Sequence, residues 1–147
     1  MKKGVKLGYI PTRRNVFSAD EARSYRAKIK ETIGAWGAEL TDIGDVTAEG
    51  LLVDEGELPG IIEKMKSEQV DGLFFPHCNF GTEDLVAKTA KALNKPVLLW
   101  GPRDDAPLED GLRTRDTQCG LFATGKVLRR FNIPFTYLEN SWLDDLR

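Results

Sequence analysis

The sequence predicts an α/β protein, a three-layer sandwich around a five-stranded parallel sheet. Three observations carry this. Short apolar runs alternate with longer segments whose apolar residues recur every three or four positions, the alternation that builds parallel sheets with helical crossovers. Residues 70–76 are nearly continuous in apolar character after Asp71, as in a strand covered on both faces. Gly and Pro are scattered between these segments as punctuation, with no low-complexity linker. Right-handed crossovers between five strands suit the flavodoxin-like order 2-1-3-4-5. The 147 residues are expected to form one domain, residues 1–147, burying roughly 70% of the surface its unfolded chain exposes.

Residues 5–10 read as the first strand, and Pro11, which has no ladder donor, stops it. Ser18 with Glu21 three residues on forms a capping-box signature. The helix that follows places Ala22, Tyr25, Ile29, Ile33 and Trp36 on one stripe, and Gly37 suits its stop. Residues 39–43 read as the second strand, with Leu51, Leu52 and Val53 as a small packing segment beyond it. Pro59 fits the first turn of a helix over 58–68 whose apolar face is Ile61, Ile62 and Met65. The third strand, 70–76, leads to Thr82 as a helix cap, with Glu83 and Asp84 in the first turn. Leu85, Val86, Thr89, Ala90 and Leu93 form that helix's stripe, and 97–100 is the fourth strand. A loop over 101–111 precedes a helix over about 115–131, with Cys119, Phe122, Ala123, Val127 and Leu128 expected inside. Residues 135–138 form the fifth strand, and 141–147 begin another helix.

Composition narrows the function. Lys plus Arg number 21 against 23 Asp plus Glu, a net charge of −2, so no global field favours nucleic acid. Two Cys far apart, without CxxC spacing, read as free thiols of a reducing compartment, and one His gives no zinc set. No window approaches the roughly 20 apolar residues of a membrane span, and the first apolar run is too short and interrupted for a signal peptide. A cytoplasmic protein without a membrane or nucleic-acid partner is expected. The sequence lacks GxGxxG after the first strand, GxxxxGK[ST] and GxSxG, which removes the common nucleotide loops and the nucleophile elbow. Its first strand does not end in paired acids, and no Ser/Thr-rich phosphate loop follows Ile10.

In an open α/β sheet, ligands meet the carboxyl ends of the strands. The loops after strands one, three and four are expected to converge there, carrying Arg13 and Arg14, then His77, Cys78, Asn79 and Phe80, then Trp100 and Arg103. Arg13 and Arg14 offer planar donor forks for carboxylate, phosphate or sugar oxygens; the alternatives are a solvated loop pair or salt bridging to Asp104 and Asp105. His77 is the one candidate general base of its type, against a packed, hydrogen-bonded histidine. Cys78 is a candidate thiolate, against a buried thiol. Asn79 can donate and accept to a hydroxyl-rich ligand. Phe80 and Trp100 can stack on a sugar ring or cover the sheet. Gly81 suits a tight turn.

The segments Gly8-Tyr9-Ile10-Pro11-Thr12-Arg13-Arg14, Val70 to Glu83 and Leu99-Trp100-Gly101-Pro102-Arg103-Asp104 resemble the amino-terminal region of the L-fucose/L-arabinose isomerase family. The run Arg115-Asp116-Thr117-Gln118-Cys119-Gly120-Leu121-Phe122-Ala123-Thr124 looks like its fucose-isomerase-related branch. The resemblance implies a flavodoxin-like domain of a longer, oligomeric, cytoplasmic ketol isomerase. It implies a Mn²⁺ site in later domains, hence no cofactor in this chain, and proton transfer between C1 and C2 of an open-chain monosaccharide. An arginine after the first strand, matched by Arg13 or Arg14, and the loop from His77 to Phe80 are implied to contact sugar bound at a homo-oligomer partner or at later domains. Where fucose isomerases carry a sugar-packing tryptophan, this sequence has Cys78. The sugar therefore need not be fucose, and because the implied metal ligands lie in later domains, the chain alone is expected to be non-catalytic. The alternatives are a stand-alone module binding a sugar or phosphorylated small molecule, and a structural domain that builds an oligomer interface.

Overall fold

The computed structural model describes residues 4–145. Five parallel strands form one sheet in the order β2-β1-β3-β4-β5, the order the sequence predicts. They are β1 (Lys6–Tyr9), β2 (Glu39–Asp42), β3 (Gly72–Pro76), β4 (Val97–Trp100) and β5 (Thr136–Tyr137). Register runs Leu7 to Leu40 and Gly72, then Leu73 to Val97, then Leu98 to Thr136. All five residues of β3 are buried, as its continuous apolar character requires.

Four helices cover the sheet: α1 (Ala19–Ala35), α2 (Leu58–Ser67), α3 (Glu83–Leu93) and α4 (Thr117–Arg130). The pleat sends alternate residues of β3 to opposite cores. Leu73 and Phe75 join Ile61, Met65, Val86, Ala90 and Leu128 beneath α2, α3 and α4. Phe74 turns the other way and joins Tyr9, Ala22, Ile29 and Ile33 beneath α1. That makes three layers, with α1 the single α-helix on one face among the described residues.

Local signals placed most element ends. The Ser18 hydroxyl accepts the amide of Glu21 at 3.2 Å, and Gly37 follows α1 at φ 77°. Asn94 ends α3 in the left-handed region, which asparagine tolerates. Four expectations differ. Trp36 is half exposed, because α1 has ended one residue earlier and the indole no longer follows the helical stripe. Thr82 makes no side-chain cap; its hydroxyl lies 3.0 Å from that of Thr12 instead. In α4, Cys119 and Phe122 are exposed and Gly120, Leu121, Thr124, Gly125 and Leu128 face inward. The helix is turned by about one residue, roughly 100°, because its close approach to the sheet needs small side chains there. Residues 143–145 form only a single 3-10 turn, and the remainder of the expected last helix, 146–147, lies outside the described residues.

Candidate functional site

The carboxyl ends of β1 and β3 continue into one hydrogen-bonded platform. Thr12 bridges both Leu52 and His77 in parallel register. Its amide donates to Pro76 O at 2.9 Å, and Cys78 N donates to Thr12 O at 3.0 Å. The Thr12 hydroxyl accepts Thr82 N at 3.0 Å and lies 3.0 Å from Leu52 O. One buried threonine thus ties the loop after β1, the packing segment at Leu52 and the start of α3. Gly81 completes the turn at φ 81°, where an added Cβ would sit 2.8 Å from His77 Cδ2 and from Thr12 Cγ2.

Asn79 holds the first loop against this platform. Fully buried, its Oδ1 accepts Arg14 N at 2.7 Å and Gly81 N at 3.3 Å. Its Nδ2 donates to Arg14 O at 3.3 Å and Ser18 O at 3.4 Å. Replacing Asn79 with Ala strands these groups, so Asn79→Ala is expected to cost about 2 kcal/mol. Residues 13–18 should exchange amide hydrogen faster, as read by mass spectrometry; unchanged protection there would remove this role.

Arg14 emerges from that anchor. Its guanidinium pairs with Glu83 and stands 4.5 Å from the centroid of the Phe80 ring. Phe17 stacks on Phe80 at 5.6 Å with 10° between the planes. The result is a cation on an aromatic pair beside a carboxylate, partly exposed at the sheet's carboxyl edge. Arg13 is held separately: Nε donates to Glu49 at 2.6 Å and Nη1 to Asn15 at 2.8 Å. Glu49 also accepts from Arg23 at 2.7 Å. Both arginines therefore pair with Glu49 and Glu83, rather than with Asp104 or Asp105.

His77, Cys78 and Trp100 have no exposed surface. His77 Nε2 lies 2.8 Å from the Thr124 hydroxyl, and Nδ1 lies 3.3 Å from Phe75 O. A carbonyl can only accept, so Nδ1 carries the proton and Thr124 donates to Nε2. Burial pushes the His77 pKa down to about 4 and the Cys78 thiol up to about 12. A neutral imidazole and a protonated thiol sit there at neutral pH. Trp100 and Cys78 belong to the core beneath α1.

Arg103 is exposed, 5.4 Å above the Trp142 ring. Its loop is secured by Arg115, which is almost wholly buried. Arg115 donates to Arg103 O at 2.6 Å, pairs with Asp104 at 3.4 Å and lies over the Tyr25 ring. Asp104 in turn accepts the Thr117 amide at 2.8 Å. The structure thus gathers Arg14, Asn79 and Phe80 with Phe17 and Glu83. Arg13 flanks them through Glu49, and Arg103 belongs to a separate cluster with Trp142.

Sequence reasoning did not single out Phe17, Glu49, Glu83, Thr12 or Arg115. The two glutamates carried no local signal, since they lie 36 and 69 residues from the arginines that they pair with. For the divalent cation implied by the resemblance, the donor set does not fit. Among the described residues no three His, Cys, Asp or Glu side chains converge. Glu49, Glu83 and Asp104 are each engaged by arginine. No helix among the described residues is long and apolar enough to cross a membrane.

Residues 8–146 match the family described as fucose/sulfoquinovose isomerase, N-terminal domain. No curated protein sequence matches the chain. Three solved structures are similar at low identity. A periplasmic solute-binding protein of an ABC transporter from Actinobacillus succinogenes 130z, with bound D-allose, is 14% identical with a TM-score of 0.41, over 91% of this chain and 38% of that one. An ABC transporter solute-binding protein from Bacillus halodurans C-125, with bound myo-inositol, is 8% identical with a TM-score of 0.42, over 97% and 58%. A glycosyltransferase from Streptomyces nogalater is 15% identical with a TM-score of 0.41, over 92% and 45%. The chain spans less than two thirds of each of these.

Proposed function

Since the chain belongs to the family of fucose/sulfoquinovose isomerase N-terminal domains, we propose that it is the substrate-facing domain of a cytoplasmic sugar isomerase. It forms one domain, contributes contacts to a monosaccharide held elsewhere in the assembly, and does not isomerise sugar alone. The observation that carries this reading is the Arg14–Phe80–Phe17 stack with Glu83 at the carboxyl edge of the sheet. An aromatic face packs against the C–H face of a sugar ring, while a guanidinium fork and a carboxylate bind its hydroxyls. Arg13, with Glu49, extends the same polar rim. Asn79 positions Arg14 through the backbone. His77, Cys78 and Trp100 support the platform from within, and Arg103 lies on a separate part of the rim. No step of the isomerisation is assigned to this chain.

Two measurements test the proposal. The 147-residue chain is incubated with an aldose panel that includes fucose and sulfoquinovose, and ketose formation is followed; turnover by this chain alone overturns the non-catalytic role. In the intact parent enzyme, Phe80→Ala is expected to lower kcat/KM by about tenfold or more, the loss of roughly 1.4 kcal/mol of substrate contact. An unchanged kcat/KM removes the aromatic platform from the site. Saturable sugar binding by the 147-residue chain in calorimetry supports the stand-alone binding module instead.

A further inference from the structure

Away from the platform, the other edge of the sheet carries a groove with an unusual charge. It lies between α4 and β5 and has a volume of about 640 Å³. Its apolar side chains include Leu121, Phe122, Phe135 and Tyr137, and Phe122 and Tyr137 are 66% and 57% exposed. Its charged residues are Lys126, Arg129 and Arg130, with no carboxylate among the lining residues. Among the described residues none of these three cations makes an ion pair. In a chain of net charge −2, that is a local excess of positive charge over exposed aromatic surface. Among the described residues the neighbouring strand β5 pairs only with β4 and is the last strand of the sheet.

The chain itself carries a complementary surface. The loop after β4 folds residues 108–112 into a closed turn. Leu108 N donates to Leu112 O at 2.9 Å, and Gly111 N donates to Leu108 O at 2.8 Å. Leu112 N donates to Asp110 Oδ1 at 2.9 Å. The turn presents Leu108 at 52% and Leu112 at 60% exposure beside the exposed acids Glu109 and Asp110. Two carboxylates bracketed by exposed leucines match cations set among exposed aromatic rings. Because the turn is already closed by its own hydrogen bonds, docking it costs little ordering entropy.

We propose that the α4–β5 groove seats the 108–112 turn of a second copy of this chain. Leu108 and Leu112 cover Phe122 and Tyr137, and Glu109 and Asp110 meet Lys126, Arg129 and Arg130. Turn and groove are different patches of one surface, so two copies exchange turns as an isologous two-fold pair, or the contact repeats head to tail around a heterologous ring. Charge complementarity of this kind sets partner choice and makes association sensitive to salt.

Sedimentation velocity on the 147-residue chain, over a roughly hundredfold concentration range, reads the result. Self-association is expected in about 50 mM NaCl and at least about tenfold weaker in 0.5 M. The turn variant Glu109→Lys/Asp110→Lys and the groove variant Lys126→Glu/Arg130→Glu should each stay monomeric, with circular dichroism checking that each is folded. Mixing the two variants restores both charge-matched contacts and should restore association. A wild-type chain that stays monomeric throughout, or variants that associate like wild type, overturns the proposal. So does a mixture that remains monomeric. A wild-type chain that stays monomeric would leave the groove to a foreign acidic partner instead.

Discussion

Gly120→Ala is expected to be among the most damaging single-methyl changes in this domain, lowering stability by about 3 kcal/mol, the upper end of ordinary overpacking. A Cβ on Gly120 would lie 1.8 Å from the carbonyl oxygen of Phe80 and 2.6 Å from its carbonyl carbon. That oxygen belongs to the backbone, so no rotamer change relieves the clash. Either α4 retreats from the sheet or the Phe80 segment moves. Retreat also pulls Thr124 from His77, whereas movement of Phe80 disturbs its stack with Phe17 and Arg14. Urea unfolding of Gly120→Ala beside Gly34→Ala measures the effect. Gly34 lies in α1 with nothing within 4 Å of an added Cβ, so its replacement should stabilise by a few tenths to about 1 kcal/mol. A Gly120→Ala protein as stable as wild type would refute the close approach of α4.

The second large effect is a dependence of stability on pH that one side chain imposes. His77 is buried among the loop after β3, α4 and the ends of β3 and β4, and burial holds its pKa down at about 4. In the unfolded chain an imidazole titrates near 6.5. Above pH 6.5 both states are neutral and His77 contributes no pH dependence. Between 6.5 and about 4 the unfolded state binds a proton that the folded state refuses, so stability falls as the pH falls. Below about 4 both states are protonated and the loss levels off, at roughly 3 kcal/mol. Urea unfolding between pH 7 and pH 4 should reveal that slope, and His77→Gln should flatten it. Since the chain has one His, its imidazole proton resonances need no assignment by mutagenesis. They should keep neutral-state shifts down to about pH 4 even if the variant folds poorly. Titration near 6.5 in the folded protein would contradict the burial.

These two residues mark the boundary between what was legible in the sequence and what was not. The alternation of strands and helices, the α3 stripe and the Ser18 cap are local signals, each written within one or two turns of chain. The sheet order followed because parallel strands with right-handed crossovers leave few arrangements. The phase of α4 was not local. Scoring apolar residues points Cys119 and Phe122 inward, but the helix presents Gly120, Thr124 and Gly125 because the Phe80 backbone, the His77 ring and the Phe135 ring occupy that space. Thr82 illustrates the same competition, since its hydroxyl meets Thr12 across 70 residues of sequence rather than capping its own helix.

The candidate site divides the same way. The sequence by itself determined that Arg13, Arg14, Asn79 and Phe80 lie on loops at the carboxyl edge, since strand direction decides which loops share that edge. It also carried the family resemblance that the match over residues 8–146 bears out. Only the tertiary structure decided which side chains reach the surface. Arg14 meets Glu83, 69 residues away, and Phe80 meets Phe17, while His77, Cys78 and Trp100, neighbours of those residues in the same loops and strands, are closed inside. Burial and pairing depend on what arrives from distant parts of the chain. Desolvation then turns a histidine that reads as a candidate base into a neutral strut between β3 and α4.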